Sequence, residues 1–153
     1  MKKLNTYITE RILINKDTKI NDFVNSLEEL KTKYELDYTR ISNNDRHYGI
    51  PDKLNKKFLK FMRHPKLEID TILNKFIEDN NLLDDKKYNC HTIILYDYKS
   101  LTNYFYIIIH DKDKKQTVAQ IIYRYNDGIR IYTEYIKIFN RIVAQIIDYI
   151  FQS

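Results

Sequence analysis

The sequence predicts an α+β domain: a four-stranded antiparallel meander sheet with a C-terminal helix and N-terminal helices packed on one face. Three observations predict it. Residues 91–98, 103–110 and 116–125 are rich in β-branched and aromatic side chains, which suit a pleated, half-buried surface. The polar gaps around Ser100 and Lys112 are too short for a crossover helix, so successive strands run antiparallel. From residue 134 the apolar period lengthens to a helical one, with Ile138, Ile142, Ile146 and Ile150 on one stripe.

Residues 1–16 read as an amphipathic helix or arm. Leu4, Tyr7, Ile8 and Ile12 recur near helical spacing, with Glu10 and Arg11 on the other side. So short a helix is marginal alone and needs a surface to dock on, in this domain or a neighbour. The remainder, 17–153, reads as one domain. A helix is expected over 21–36, with Asn21 as N-cap and Phe23, Leu27, Leu30 and Tyr34 on one stripe. That stripe serves a core or a subunit seam equally well. Asp37–Ile50 is polar and lacks a period, and is expected to be an irregular connection.

Pro51 opens a helix over 52–64, with Asp52 suiting its first turn. Leu54, Phe58, Phe61 and Met62 form its apolar face, and Lys53, Lys56, Lys57, Lys60 and Arg63 its basic one. In the next helix, 66–79, Ile69, Ile72, Leu73, Phe76 and Ile77 follow the helical period closely. After the three strands, Asp127-Gly128 signals a hairpin in which both residues take positive φ, leading to a fourth strand over 129–133. The final helix, 134–151, is apolar around more than half its circumference. It is expected to pack on the sheet on one side and on helices or a partner on the other.

The chain has 153 residues, 43% hydrophobic and 31% charged, which suits one folded domain. Its usage favours residues with AT-rich codons. A net charge of +5 is compatible with an anionic partner without requiring one. One cysteine, Cys90, excludes an internal disulfide and a cysteine-based zinc site. No apolar run reaches membrane-spanning length, and the chain is polar by its fifth residue, so an intracellular soluble protein is expected.

No catalytic residue, cofactor or metal site is expected, nor a small-molecule substrate. Cys90 and His91 are adjacent, so on a strand they point to opposite faces and do not form a nucleophile pair. His110-Asp111 falls at a strand end beside a charged turn, where it reads as surface. Asp97, Tyr98 and Gln120 lack the second acid and lysine of a nuclease pattern. Glu78, Asp79, Asp84 and Asp85 lack the spacing of a calcium loop. The two glycines, Gly49 and Gly128, form no phosphate-cradling loop.

The 14 tyrosines carry more information. Alternation puts Tyr104 and Tyr106 on one sheet face and Phe105 and Ile107 on the other, and Tyr123 and Tyr125 share a face. A tyrosine-rich face holding all four is expected to meet a partner, since tyrosine supplies rigid amphipathic contact area.

The opening Met1-Lys2-Lys3-Leu4-Asn5-Thr6-Tyr7-Ile8-Thr9-Glu10-Arg11-Ile12-Leu13-Ile14-Asn15-Lys16 resembles those of tailed-bacteriophage virion proteins, T4-like or crAss-like. In the T4-like case such a helix targets packaged proteins to the capsid. The resemblance implies a virion protein made in the bacterial host cytoplasm, with other virion proteins or copies of itself as partners. Leu4, Tyr7 and Ile8 would belong to the contact surface. The expected function is a non-enzymatic structural or packaged component acting by protein–protein contact. The alternative is a small basic nucleic-acid-binding protein using Lys53, Lys56, Lys57, Lys60 and Arg63.

Overall fold

The structure, a computed structural model, describes residues 23–83 and 86–153. The expected arm over 1–16 and its contact residues Leu4, Tyr7 and Ile8 lie outside the described residues. The chain is α+β. In order the elements are α1 (Leu27–Tyr34), β1 (Asp37–Ser42), β2 (Asp45–Gly49), α2 (Asp52–Met62), α3 (Lys66–Asp79), β3 (Tyr88–Asp97), β4 (Thr102–Asp111), β5 (Gln116–Arg124), β6 (Gly128–Tyr132) and α4 (Ile136–Gln152).

Among the described residues the sheet has six strands, not four, in the order β1-β2-β6-β5-β4-β3, all antiparallel. The expected meander is β3 to β6. The two extra strands come from Asp37–Ile50, expected to be irregular. Its two halves form a hairpin, and β2 pairs with β6. The polar content of this stretch hid the pairing, because β1 is exposed along its whole length and shows no apolar alternation.

Residues 25–29 set the start of α1. Ser26 caps it, while Asn21, the expected cap, lies outside the described residues: the Ser26 Oγ accepts from Glu29 N–H, and the Glu29 carboxylate accepts from Asn25 N–H. This is the reciprocal logic of a capping box.

At the β5–β6 turn, positive φ falls on Asn126 and Gly128, and Asp127 keeps negative φ, so the two-residue turn expected at Asp127-Gly128 is displaced. Gly128 begins β6, where a Cβ would sit 2.3 Å from the Tyr48 carbonyl oxygen of β2. Only glycine permits that approach.

The helices cover one sheet face. A row of opposed residues crosses it, Phe105–Tyr123–Ile129–Tyr48, with Ile107–Ile121–Ile131 beside it. All seven are buried and join the core that α1, α2, α3 and α4 complete. The last helix lies deepest. Ile142, Ile146 and Ile150 are buried as expected, whereas Ile138 stays exposed near its start. Asp148, fully buried on α4, accepts from Val24 N–H at 3.0 Å, from Gln152 Nε2 at 3.1 Å, and from the Tyr34 hydroxyl. Lys33 Nζ reaches it at 3.5 Å. One carboxylate thereby ties α1 and its leading segment to α4.

Candidate functional site

The other face of the sheet is built by the same alternation in the opposite phase. One row runs Ile93–Tyr106–Ile122–Arg130–His47 from β3 to β2, and the next runs His91–Ile108–Gln120–Tyr132–Asp45. No described helix packs there. Tyr104, Tyr106, Ile122, Arg124, Arg130, Tyr132 and His47 line a shallow depression of about 680 Å³.

Its charges are organised in pairs. Arg130 makes a two-point contact with Asp45, Nε to Oδ1 at 3.0 Å and Nη2 to Oδ2 at 2.7 Å. This geometry exploits the planar guanidinium fork. The hydrogen bond from Arg130 holds the Asp45 carboxyl below the usual carboxylate range, and Asp45 in turn raises the arginine further. The guanidinium also lies 5.1 Å from the Tyr132 ring centroid. Arg124 donates to the Tyr104 hydroxyl at 3.0 Å and reaches Asp127 at 3.5 Å. His47 Nε2 lies 3.5 Å from the same Asp127 carboxylate and has no hydrogen bond of its own. Two arginines thus face two carboxylates across a tyrosine- and isoleucine-lined floor.

Tyr104 and Tyr106 lie on this face as alternation requires, both half-buried. Tyr123 does not. The register opposes it to Phe105, so it faces the core and is fully buried, which removes it from any partner surface. Burial pushes its phenol pKa up. The face of a tyrosine within one strand follows from alternation, but matching faces between strands needs the register. Tyr125 lies past the end of β5 and is exposed in the turn. Sequence reasoning missed Asp45, Arg124 and Arg130. The signal available was Asp45-Arg46-His47-Tyr48 after the turn-prone Ser42-Asn43-Asn44, a strand start disguised by its charges.

The stripe of α2 lies on the opposite side of the molecule, outside the helix layer. Lys53, Lys56, Lys60 and Arg63 are exposed and Lys57 is half-buried. Lys56 pairs with Asp52 at 3.3 Å, and Lys57 donates to the Ser153 main-chain oxygen at 2.9 Å.

Cys90 is buried and its thiol is pushed up to about 12 by burial, so it is not a thiolate near neutral pH. Asp97 accepts from Lys99 N–H and Ser100 Oγ, and Asp111 from Asp113 N–H and Lys114 N–H, each organising its own turn. His91 and His110 meet at 6.3 Å between ring centroids. Among the described residues no cluster of three metal-ligating side chains occurs, and no helix is long and apolar enough to cross a membrane.

Compared with models of protein families, with curated proteins and with solved structures, the chain matches none.

Proposed function

We propose that this protein is a non-enzymatic structural or packaged component of a tailed-phage virion that works by protein–protein contact through the open face of its sheet. The observation that carries the contact reading is the charge-compensated tyrosine face. Tyr104, Tyr106 and Tyr132 flank Ile122, and each neighbouring arginine already holds a carboxylate. A polyanion favours uncompensated cations, because its affinity comes from neutralising phosphates. A protein partner favours rigid aromatics and arginines whose charge is locally balanced. The virion assignment rests on the opening of residues 1–16.

The test is a Tyr104→Ala/Tyr106→Ala double variant supplied during infection in place of the wild type. It is expected to fold, to melt near the wild type, and to be depleted from purified particles. A folded double variant recovered in particles at the wild-type level overturns the face as the contact surface. Absence of the wild type from purified particles overturns the virion assignment.

A second reading has one observation in its favour. Lys53 and Lys60 on α2 and Arg63 just past its end are exposed and form no ion pair among the described residues. Together they suit a nucleic-acid backbone. Lys56→Glu/Lys57→Glu/Lys60→Glu would then abolish a binding that also weakens steeply with salt. A wild type that binds neither DNA nor RNA at low salt ends that reading.

A further inference from the structure

The two edges of the sheet are treated differently. β1 is short, carries Asp37 and Arg40, and has an irregularity between Arg40 and Ser42. Such features blunt an edge against pairing. β3 is long, and its first half is blunted by another device. Asn74 of α3 accepts from Cys90 N–H at 3.1 Å and donates to Cys90 C=O at 2.7 Å, as a neighbouring strand would. Asp70 accepts from Thr92 N–H at 2.8 Å and from its hydroxyl at 2.7 Å. These contacts show that the even-numbered residues of β3 point their main-chain groups outward.

By alternation Ile94 and Tyr96 do the same. Yet α3 begins at Lys66 and does not reach them, and no described group bonds to their outward N–H or C=O. Around this bare segment the side chains are apolar and open. Ile94, Leu95 and Tyr96 are 43%, 51% and 46% exposed, and Leu67, at the start of α3, is 79% exposed. The Tyr96 and Tyr98 rings pack edge to face at 4.8 Å. Among the described residues this part of β3 carries neither bulge nor cap.

We infer that the Ile94–Tyr96 edge pairs antiparallel with the same edge of a second copy of this chain, about a two-fold axis at Leu95. This register uses the groups that are free. With Leu95 opposite Leu95, Ile94 of one copy faces Tyr96 of the other, and each such pair exchanges two main-chain hydrogen bonds. Shifting the axis to Ile94 would oppose Tyr96 to Thr92, whose N–H already bonds Asp70. Centred on Leu95, the lone charge of the segment, Asp97, meets Ile93 and not its own copy. The pairing is isologous, as a two-fold dimer requires. It joins two sheets into one and sets the two tyrosine faces side by side. The paired length is short, so the dimer belongs with small, concentration-dependent interfaces below about 1,200 Å². This association does not depend on the virion reading.

Sedimentation velocity over a concentration series of the full chain tests it, together with three variants whose folding is checked by circular dichroism. The wild type is expected to shift from monomer to dimer, and Leu95→Lys, which sets like charges against each other on the axis, to remain monomeric with an unchanged spectrum. Leu95→Cys is expected to cross-link with diamide. Its two Cα atoms would lie about 4.5 Å apart as a non-hydrogen-bonded pair, within disulfide reach. Tyr98→Cys is not expected to cross-link, because its two copies would sit about 20 Å apart along the strands at about 3.3 Å per residue. A wild type that stays monomeric at its highest soluble concentration overturns the proposal. So does a Leu95→Cys chain that cross-links no faster than Tyr98→Cys, whatever the virion experiment returns.

Discussion

Tyr123 stacks on Phe58, with ring centroids 4.5 Å apart and planes 19° from parallel, and no solvent reaches either ring. Its hydroxyl donates to Asn55 Oδ1 at 2.9 Å. The pair fastens α2 to the middle of the sheet, with Phe151 of α4 set edge-on against Phe58 at 5.7 Å. Tyr123→Phe keeps the stack and removes the hydroxyl, leaving buried Asn55 with an unused acceptor; about 1–2 kcal/mol of stability is expected to go. Tyr123→Ala also opens a cavity, and about 3–5 kcal/mol is expected. Urea unfolding of the two variants separates the contributions.

Asp148 sets a second expectation. Its carboxylate is fully buried and serves several donors at once. Asp148→Ala strands the buried Val24 N–H and takes one acceptor from the half-buried Tyr34 hydroxyl and one partner from Lys33. The loss expected is roughly 3–5 kcal/mol. Asp148→Asn keeps an acceptor oxygen and is expected to cost less. Chemical denaturation gives the order of the two, and an equal loss in both would show that charge, not hydrogen bonding, holds α1 in place.

The Asp45–Arg130 pair predicts a pH dependence. Because Arg130 lowers the Asp45 pKa in the folded chain, the pair contributes stability above the unfolded carboxyl value of about 4. That contribution is lost as pH falls through the depressed folded value. Asp45→Asn is therefore expected to melt below the wild type at neutral pH, with the gap narrowing as the solution is acidified. A gap constant from neutral to acid pH would mean the pair contributes nothing through charge. Asp70 shifts in the same direction. Burial pushes its carboxyl up, but the hydrogen bonds from Lys66 and Thr92 outweigh it, so its contribution also disappears towards acid.

Much of this architecture was legible in the residues. The helix at Lys66–Asp79 lies where its apolar spacing put it, and the four strands after Tyr88 fall within a few residues of their β-branched runs. Ser26-x-x-Glu29 was a readable helix start that the more distant Asn21 obscured. The β1–β2 hairpin was not legible. Its strands sit at the margin of the sheet, where the helix layer gives no apolar alternation to β1. The candidate face was half legible. Tyr104 and Tyr106 followed from alternation, whereas Tyr123 was misplaced because its side is decided by the strand it pairs with. The Arg130–Asp45 pair joins residues 85 positions apart, a distance local patterning does not span.

The Asn74 and Asp70 contacts with β3 have a kinetic corollary. Cys90 and Thr92 belong to a strand, but the bonds that hold their N–H groups belong to a helix. In hydrogen exchange such amides follow the opening of whichever partner leaves first. Cys90 and Thr92 are therefore expected to exchange in step with α3, ahead of Ile107 and Ile121 at the sheet centre, and Asn74→Ala to speed Cys90 selectively. A partial unfolding that detaches α3 would strip the whole outer margin of β3 at once. The short reactive segment at Ile94–Tyr96 would become a strand-length one, and the route from reversible pairing to irreversible aggregation would run through the loosening of a single helix.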